Sequence, residues 1–240
     1  MHKVPTYTIR KLFSTKWVWF SNPEEVSGVD QVVFFSYEKV NAPSFKRKEG
    51  LTTCVNLEKS EEDIFMGMRK KFIRKQITRG EERGISVREG AYSELLPVYT
   101  SFRKDKHLAT ADVKEASRVG DIFIAEHQGR IISAGLFISN GVCARAHVLA
   151  SVRLSKKEDR EIIGYANRML LWEAMRFYKR QRVTRFDLGG INVKSSKKED
   201  VSLAEFKEAF GGERTSCFFY RKVYSKALTL FSKVRAVLPI

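Results

Sequence analysis

Histidine, proline and cysteine are scarce in this chain: four, five and three residues in 240. Cys54, Cys143 and Cys217 are an odd number at wide spacing, with no C-x-x-C pair and no histidine placed so as to suggest a zinc site. That pattern gives no disulfide framework and no zinc site, so three reduced, buried thiols and no metal are expected. No apolar run reaches the length of a signal peptide core or a transmembrane helix. The expectation is therefore a cytoplasmic protein. Internal repeats are lacking too, and the only biased stretch is the short "KSSKKED" of residues 194–200.

What is present describes a folded chain. Hydrophobic residues make up 43% and aromatics 12%, enough for a sizeable core. The length suits one large domain, or a domain with an extension. Acid is outnumbered: 44 Lys and Arg against 28 Asp and Glu give +16. Such a surface attracts polyanions, whether nucleic acid, nucleotide phosphate or an anionic membrane. The basic residues cluster at 46–48, 69–75, 179–185 and 194–198, and each cluster taken alone is equally well a solvated face.

Residues 5–39 alternate aromatic and β-branched runs and predict a strand-rich start. Residues 41–50, "NAPSFKRKEG", predict a connection. A strand is expected at 52–57, and Ser60 ahead of Glu61, Glu62 and Asp63 starts a helix running to about Gly80. Its expected buried stripe is Ile64, Phe65, Met68, Phe72 and Ile73. Further on come a strand at 85–89 and helices at 91–107 and 109–119, with His107 in the connection between them. A three-stranded meander starts at 121, then a helix at 157–180, the strand "VTRFDLGG", the helix "LAEFKEAF" and the strand "TSCFFYRKV". The β-α-β unit over 145–190 implies an α/β sheet of mixed direction.

Three blocks carry the chemistry: the basic helix "EEDIFMGMRKKFIRKQITRG", the helix and strand "IGYANRMLLWEAMRFYKRQRVTRFDLGGI", and "FKEAFGGE". In this order they resemble the FemAB-like branch of the GNAT-fold acyltransferases, relatives of the peptidoglycan-bridge aminoacyltransferases, over about residues 52–222. The resemblance implies a GNAT-like domain at 51–222, preceded by a strand-rich extension at 1–50 and followed by an amphipathic helix at 223–240. It also implies acyl or aminoacyl transfer to an amine of a nucleotide- or lipid-linked sugar or cell-wall precursor.

Two donors stand open. Acyl-CoA is slightly preferred because the chain is short, where full-length peptidoglycan-bridge enzymes resemble two such domains in tandem; aminoacyl-tRNA is the alternative. In relatives that use acetyl-CoA, a Q/R-x-x-G-x-G/A loop holds the pyrophosphate. Here "EIIGYA" places Gly164 and Ala166 in that pattern, with Asn167 and Arg168 beside them and Glu161 where a basic or amide residue belongs. A glycine in the first turns of a helix admits phosphate close to the backbone N–H groups.

Amine acylation needs a proton acceptor and donors facing the carbonyl oxygen. Asp187, in the strand entering D-x-G-G, is the motif-anchored candidate base; His147 and Glu213 are alternatives, and Tyr220 is a candidate proton donor. His147 is equally well a hydrogen-bonded core histidine. Gly189 and Gly190 are expected to end their strand at the substrate cleft, and Gly211 and Gly212 to stop the following helix. Both pairs then frame a lysine-rich loop over the cleft. Arg74, Lys75 and Lys207 are candidates for holding substrate phosphate. The C-terminal stretch, with Tyr224, Leu228, Phe231 and Leu238 on one face and Lys226, Lys233 and Arg235 elsewhere, suits core packing or a contact with the inner face of the membrane. A polyanion-binding protein without catalysis is the rival from another class.

Overall fold

The computed structural model describes residues 4–107, 113–152 and 157–230. The aromatic and β-branched start forms β1 (Thr6–Arg10), β2 (Ser14–Trp19) and β3 (Gln31–Ser36), since such side chains suit a half-buried pleated surface. β4 (Lys46–Asn56) begins earlier than the sequence suggests: residues 46–50, expected in a connection, pair with 217–221 of the last strand, β10 (Glu213–Val223). Residues 46–49 are exposed. Ladder hydrogen bonds come from the backbone, so a charged stretch joins a sheet where its side chains stay in water.

Ser60 caps α1 (Glu61–Gly67), its hydroxyl accepting from the Asp63 N–H at 3.0 Å. The single helix expected to reach Gly80 is interrupted. Met68 is extended, with ψ 147°, a π-helical turn spans Lys70–Arg74, and α2 (Lys75–Glu82) resumes the α geometry. A π turn adds a residue to the helical repeat and rotates every side chain beyond it about the axis. Ile64, Met68, Ile73 and Ile77 are therefore buried, while Phe72, expected inside, is 49% exposed.

Next come β5 (Ser86–Glu89), α3 (Tyr92–Asp105) and the single turn α4 (Lys114–Ser117). Residues 109–112 of the helix expected at 109–119 lie outside the described residues. The meander is β6 (Gly120–His127), β7 (Arg130–Ser139) and β8 (Cys143–Ser151), and α5 (Lys157–Arg180) crosses to β9 (Arg185–Ile191). α6 (Lys198–Glu208) leads into β10, and Gly211 ends that connection at φ 78°, a left-handed angle that costs glycine nothing. After β10 the chain is helical at 226–230; Phe231, Lys233, Arg235 and Leu238 of the expected C-terminal helix lie outside the described residues.

The ten strands form one sheet in the order β1-β2-β3-β10-β4-β9-β8-β7-β6-β5. β2 with β3 and β8 with β9 are parallel, and the remaining neighbours are antiparallel. Alternating strand residues build the two cores that lie under helices, and a third, smaller one gathers Val18, Phe34, Phe45 and Phe218. Phe123, Phe137, Phe186 and Leu188 pack under α1, α2 and α5, whereas Ile122, Ile124, Leu136 and Ile138 pack under α3 and α4. The mixed α/β sheet expected from the sequence is the architecture observed.

Gly120 begins β6 where a Cβ would lie 2.4 Å from the Phe137 carbonyl oxygen on β7. Neither backbone can give way without breaking the ladder. Gly120→Ala is expected to cost about 1–3 kcal/mol of stability, read as a lower urea midpoint at unchanged slope.

Candidate active site

β8 and β9 pair only through Cys143↔Arg185, Ala144↔Phe186 and Arg145↔Asp187. Both strands then continue, β8 with β7 and β9 with β4, so the sheet opens beyond the third pair.

A buried ion pair closes the narrow end. Asp187 is fully buried, and each of its oxygens accepts twice: Oδ1 from the Thr52 hydroxyl and from the Gly189 N–H at 2.6 Å, Oδ2 from the Tyr37 hydroxyl at 2.8 Å and from the Arg145 guanidinium. Four acceptor sites are all a carboxylate offers. The expectation that Asp187 is the base is corrected accordingly: its lone pairs are spent on the scaffold. Burial and the Asp187 charge hold the Tyr37 hydroxyl well above its usual pKa. Arg145 lies 4.4 Å from the centre of the Phe35 ring and 5.9 Å from that of Trp19, so residues from β2, β3 and the segment just after them complete this end.

The wide end carries three features. Leu136 pairs with Val148 and Phe137 with Ala146, which leaves His147 as the extra residue of a β-bulge. Bulges re-aim side chains and free backbone groups from the ladder. His147 Nε2 is 3.4 Å from the Tyr7 hydroxyl, and its ring meets Trp19 edge-on at 5.1 Å. Burial and the nearby Arg145 charge pull its pKa from 6.5 to about 4. Across the opening, Gly189 adopts φ 92°, and a Cβ there would sit 3.2 Å from Lys207 Nζ and 3.4 Å from the Ala146 oxygen. Gly189 and Gly190 do not end the strand; β9 continues through them, Gly190 pairing with Thr52 and Ile191 with Leu51. Lys207 is 7% exposed and donates to the Gly190 carbonyl at 2.7 Å. Burial and the Arg145 charge lower its pKa from 10.5 to about 8. An amine placed this deep lines the floor of the opening rather than reaching out for phosphate.

Two clefts flank the free half of β8 and share Phe102 and Leu149. One, of about 290 Å³, is walled by Tyr7, Ile9, Trp17, Tyr99 and His147; the other, of about 310 Å³, by Ala150, Ser151, Asn167, Arg168, Leu203 and Phe206.

The remaining expected residues lie elsewhere. Gly164 is the eighth residue of α5 and Ala166 the tenth, fully buried against the core. So deep in a helix, backbone N–H groups are bonded one turn back, and the expected phosphate cradle in the first turns is not formed by these residues. Arg168 is committed as well, donating to the Gly164 carbonyl at 2.8 Å and the Phe72 carbonyl at 2.7 Å. Asn167 Oδ1 accepts from the Ser133 hydroxyl at 2.5 Å. Glu213 is exposed in a pocket of about 260 Å³ with Thr184 and Arg185, residues that precede the closed end of the splay, so it does not join His147 and Lys207. Tyr220, on β10, is buried against Val32 and Phe34 of β3 and accepts from the Val40 N–H at 2.7 Å, away from the opening. Arg74 and Lys75 line a separate groove of about 380 Å³ with Lys70 and Arg79. No group of three metal-ligating side chains occurs among the described residues.

Sequence reasoning missed Arg145, Tyr37 and Thr52. One signal was available for the first: an arginine inside the apolar run "VCARAHVLA" requires a buried partner.

No protein-family model and no curated protein matches the chain by sequence. Comparison with solved structures decides the architecture. The crystal structure of FemX superposes with a TM-score of 0.64 at 11% identity, covering 91% of this chain and 83% of that one. The chain has the FemX fold. The C-terminal domain of a putative lysylphosphatidylglycerol synthetase from Agrobacterium fabrum is also similar, with a TM-score of 0.53, 10% identity and coverage of 96% and 83%. L-PGS from Bacillus licheniformis likewise gives 0.53, at 13% identity over 94% and 83%. In the FemX-like sheet of this chain, the β8–β9 splay is the one place among the described residues where two adjacent parallel strands separate around buried polar groups.

Arg145→Ala leaves the Asp187 carboxylate buried without its cation and should cost about 3–5 kcal/mol, measured by denaturant unfolding. His147 has a folded pKa of about 4 against 6.5 for the free group, so between these values the unfolded chain binds more protons and stability falls as pH falls. The stability difference between wild type and His147→Phe should therefore change across pH 6.5 to 4 and stay level above it.

Proposed function

We propose that the chain is an acyltransferase that acylates an amine at the β8–β9 splay. The observation that carries this is the placement, at the open end, of a bulged strand and of Lys207, an amine with a pKa of about 8 bonded to the Gly190 carbonyl. The acyl carbonyl enters between the strands. The neutral acceptor amine attacks its carbon, the C–N bond forms and the carbonyl electrons move to oxygen. Lys207 in its charged form and the backbone freed by the bulge face that oxygen, an arrangement that stabilises developing negative charge. Collapse breaks the bond to the donor, and His147, neutral at physiological pH, carries the amine proton toward the leaving group. Asp187 positions Gly189 and takes no proton.

The donor in this proposal is an aminoacyl-tRNA. The fold likeness is to FemX and to a domain of a putative lysylphosphatidylglycerol synthetase, and the match covers 83% of the FemX chain, so length no longer sets this chain apart. The charge of +16 suits an RNA. Acyl-CoA is the second reading, favoured by the 310 Å³ cleft along the free half of β8. The acceptor is an amine on a nucleotide- or lipid-linked sugar or cell-wall precursor.

Thermal stability at low salt should rise with aminoacyl-tRNA more than with uncharged tRNA; a rise with coenzyme A alone selects the second donor. Stabilisation by any RNA, with no response to charging and none to coenzyme A, would instead mark a polyanion-binding protein. Lys207→Met should fold and lose a factor on the order of 10²–10³ in transfer.

A further inference from the structure

Five of the large apolar side chains that remain in water belong to two neighbouring segments: Met66, Phe72, Val193, Val201 and Leu203 are 41% to 57% exposed. The segments touch. The Arg69 N–H donates to the Ala209 carbonyl at 2.9 Å, Arg168 bonds the Phe72 carbonyl, and its guanidinium lies 5.1 Å from the Phe206 ring. Met66 is in contact with Arg74, whose guanidinium is 2.8 Å from its sulfur. The π-helical turn is what turns Phe72 outward while keeping Ile73 buried.

The stretches that carry Met66, Phe72 and Val193 hold charge of one sign. Residues 66–79 hold six Lys and Arg with no acid, and residues 192–198 hold three lysines with no acid. α6 itself carries Glu199, Asp200, Glu205 and Glu208, so the positive field comes from these two stretches. A phosphodiester backbone calls for the cations alone. Apolar side chains standing among lysines match a surface with anionic headgroups over hydrocarbon.

We infer that this face docks on an anionic lipid bilayer, with Met66 and Phe72 entering the headgroup boundary and Lys70 and Lys71 meeting lipid phosphate. Leu203, on the same face, also walls the 310 Å³ cleft, so docking sets that cleft against the membrane. In that arrangement the acceptor is a lipid-linked amine; this last step alone rests on the acyl-transfer proposal.

The test is co-sedimentation of the full chain with phosphatidylcholine vesicles, with and without phosphatidylglycerol. Binding is expected only to the anionic vesicles. The double variant Met66→Ser, Phe72→Ser should lower partitioning at least about tenfold, and Lys70→Glu, Lys71→Glu at least as much. Both pairs are surface residues, and unchanged thermal unfolding confirms the fold. No binding by the wild type overturns the inference. So does a Met66, Phe72 variant that binds as wild type does, which would make the patch purely electrostatic, as for RNA. Stabilisation by the acyl donor is measured on the same variants: its absence even in wild type sinks the acyl-transfer proposal and leaves the vesicle result standing.

Discussion

The buried pair of Arg145 and Asp187 is the constraint around which the site is built. A carboxylate and a guanidinium this far from water persist only if every hydrogen-bonding valence is met, and meeting them recruits the neighbours. Thr52 comes from β4, Tyr37 from just after β3, and Gly189 from two residues further along β9 itself. The pair lies at the last register position shared by β8 and β9. It therefore fixes where the sheet stops being continuous.

The same pair sets the electrostatics of the opening. One carboxylate stands against Arg145, Lys207 and His147, and Arg145 is a cause of the lowered pKa of both others. Burial does the larger part in each case. The balance favours a neutral imidazole and a half-titrated amine near pH 8, and it leaves room for one negative charge. In the proposed acyl transfer, the tetrahedral oxyanion is a charge of that kind.

The outline of the fold was legible in the sequence because its periodicities are strong. The meander, the long crossover helix and the glycine after α6 all come from local pattern. What local pattern does not show is where neighbours come from. Asp187 stands out in the sequence through its motif, but its surroundings depend on Arg145, Tyr37 and Thr52, which lie 42, 150 and 135 residues away. Gly164 and Ala166 fitted a short motif, yet the helix starts at Lys157 and places both well inside it. Phe72 fitted an α-helical stripe, and one π turn put it on the outside.

β10, the last strand in the sheet, lies between β3 and β4 and is the only bridge among the described strands from β1–β3 to the rest of the sheet. The first three strands leave the ribosome early but gain their place only after residue 223 has been made. Until then Phe35, Trp19 and Tyr37 have no sheet to join, and the Arg145–Asp187 pair lacks its cover. Closure of a loop nearly as long as the protein is thus a late, non-local step. The aromatic wall of the site belongs to the slowest part of folding, so newly made chains should acquire a stable core before they acquire a site.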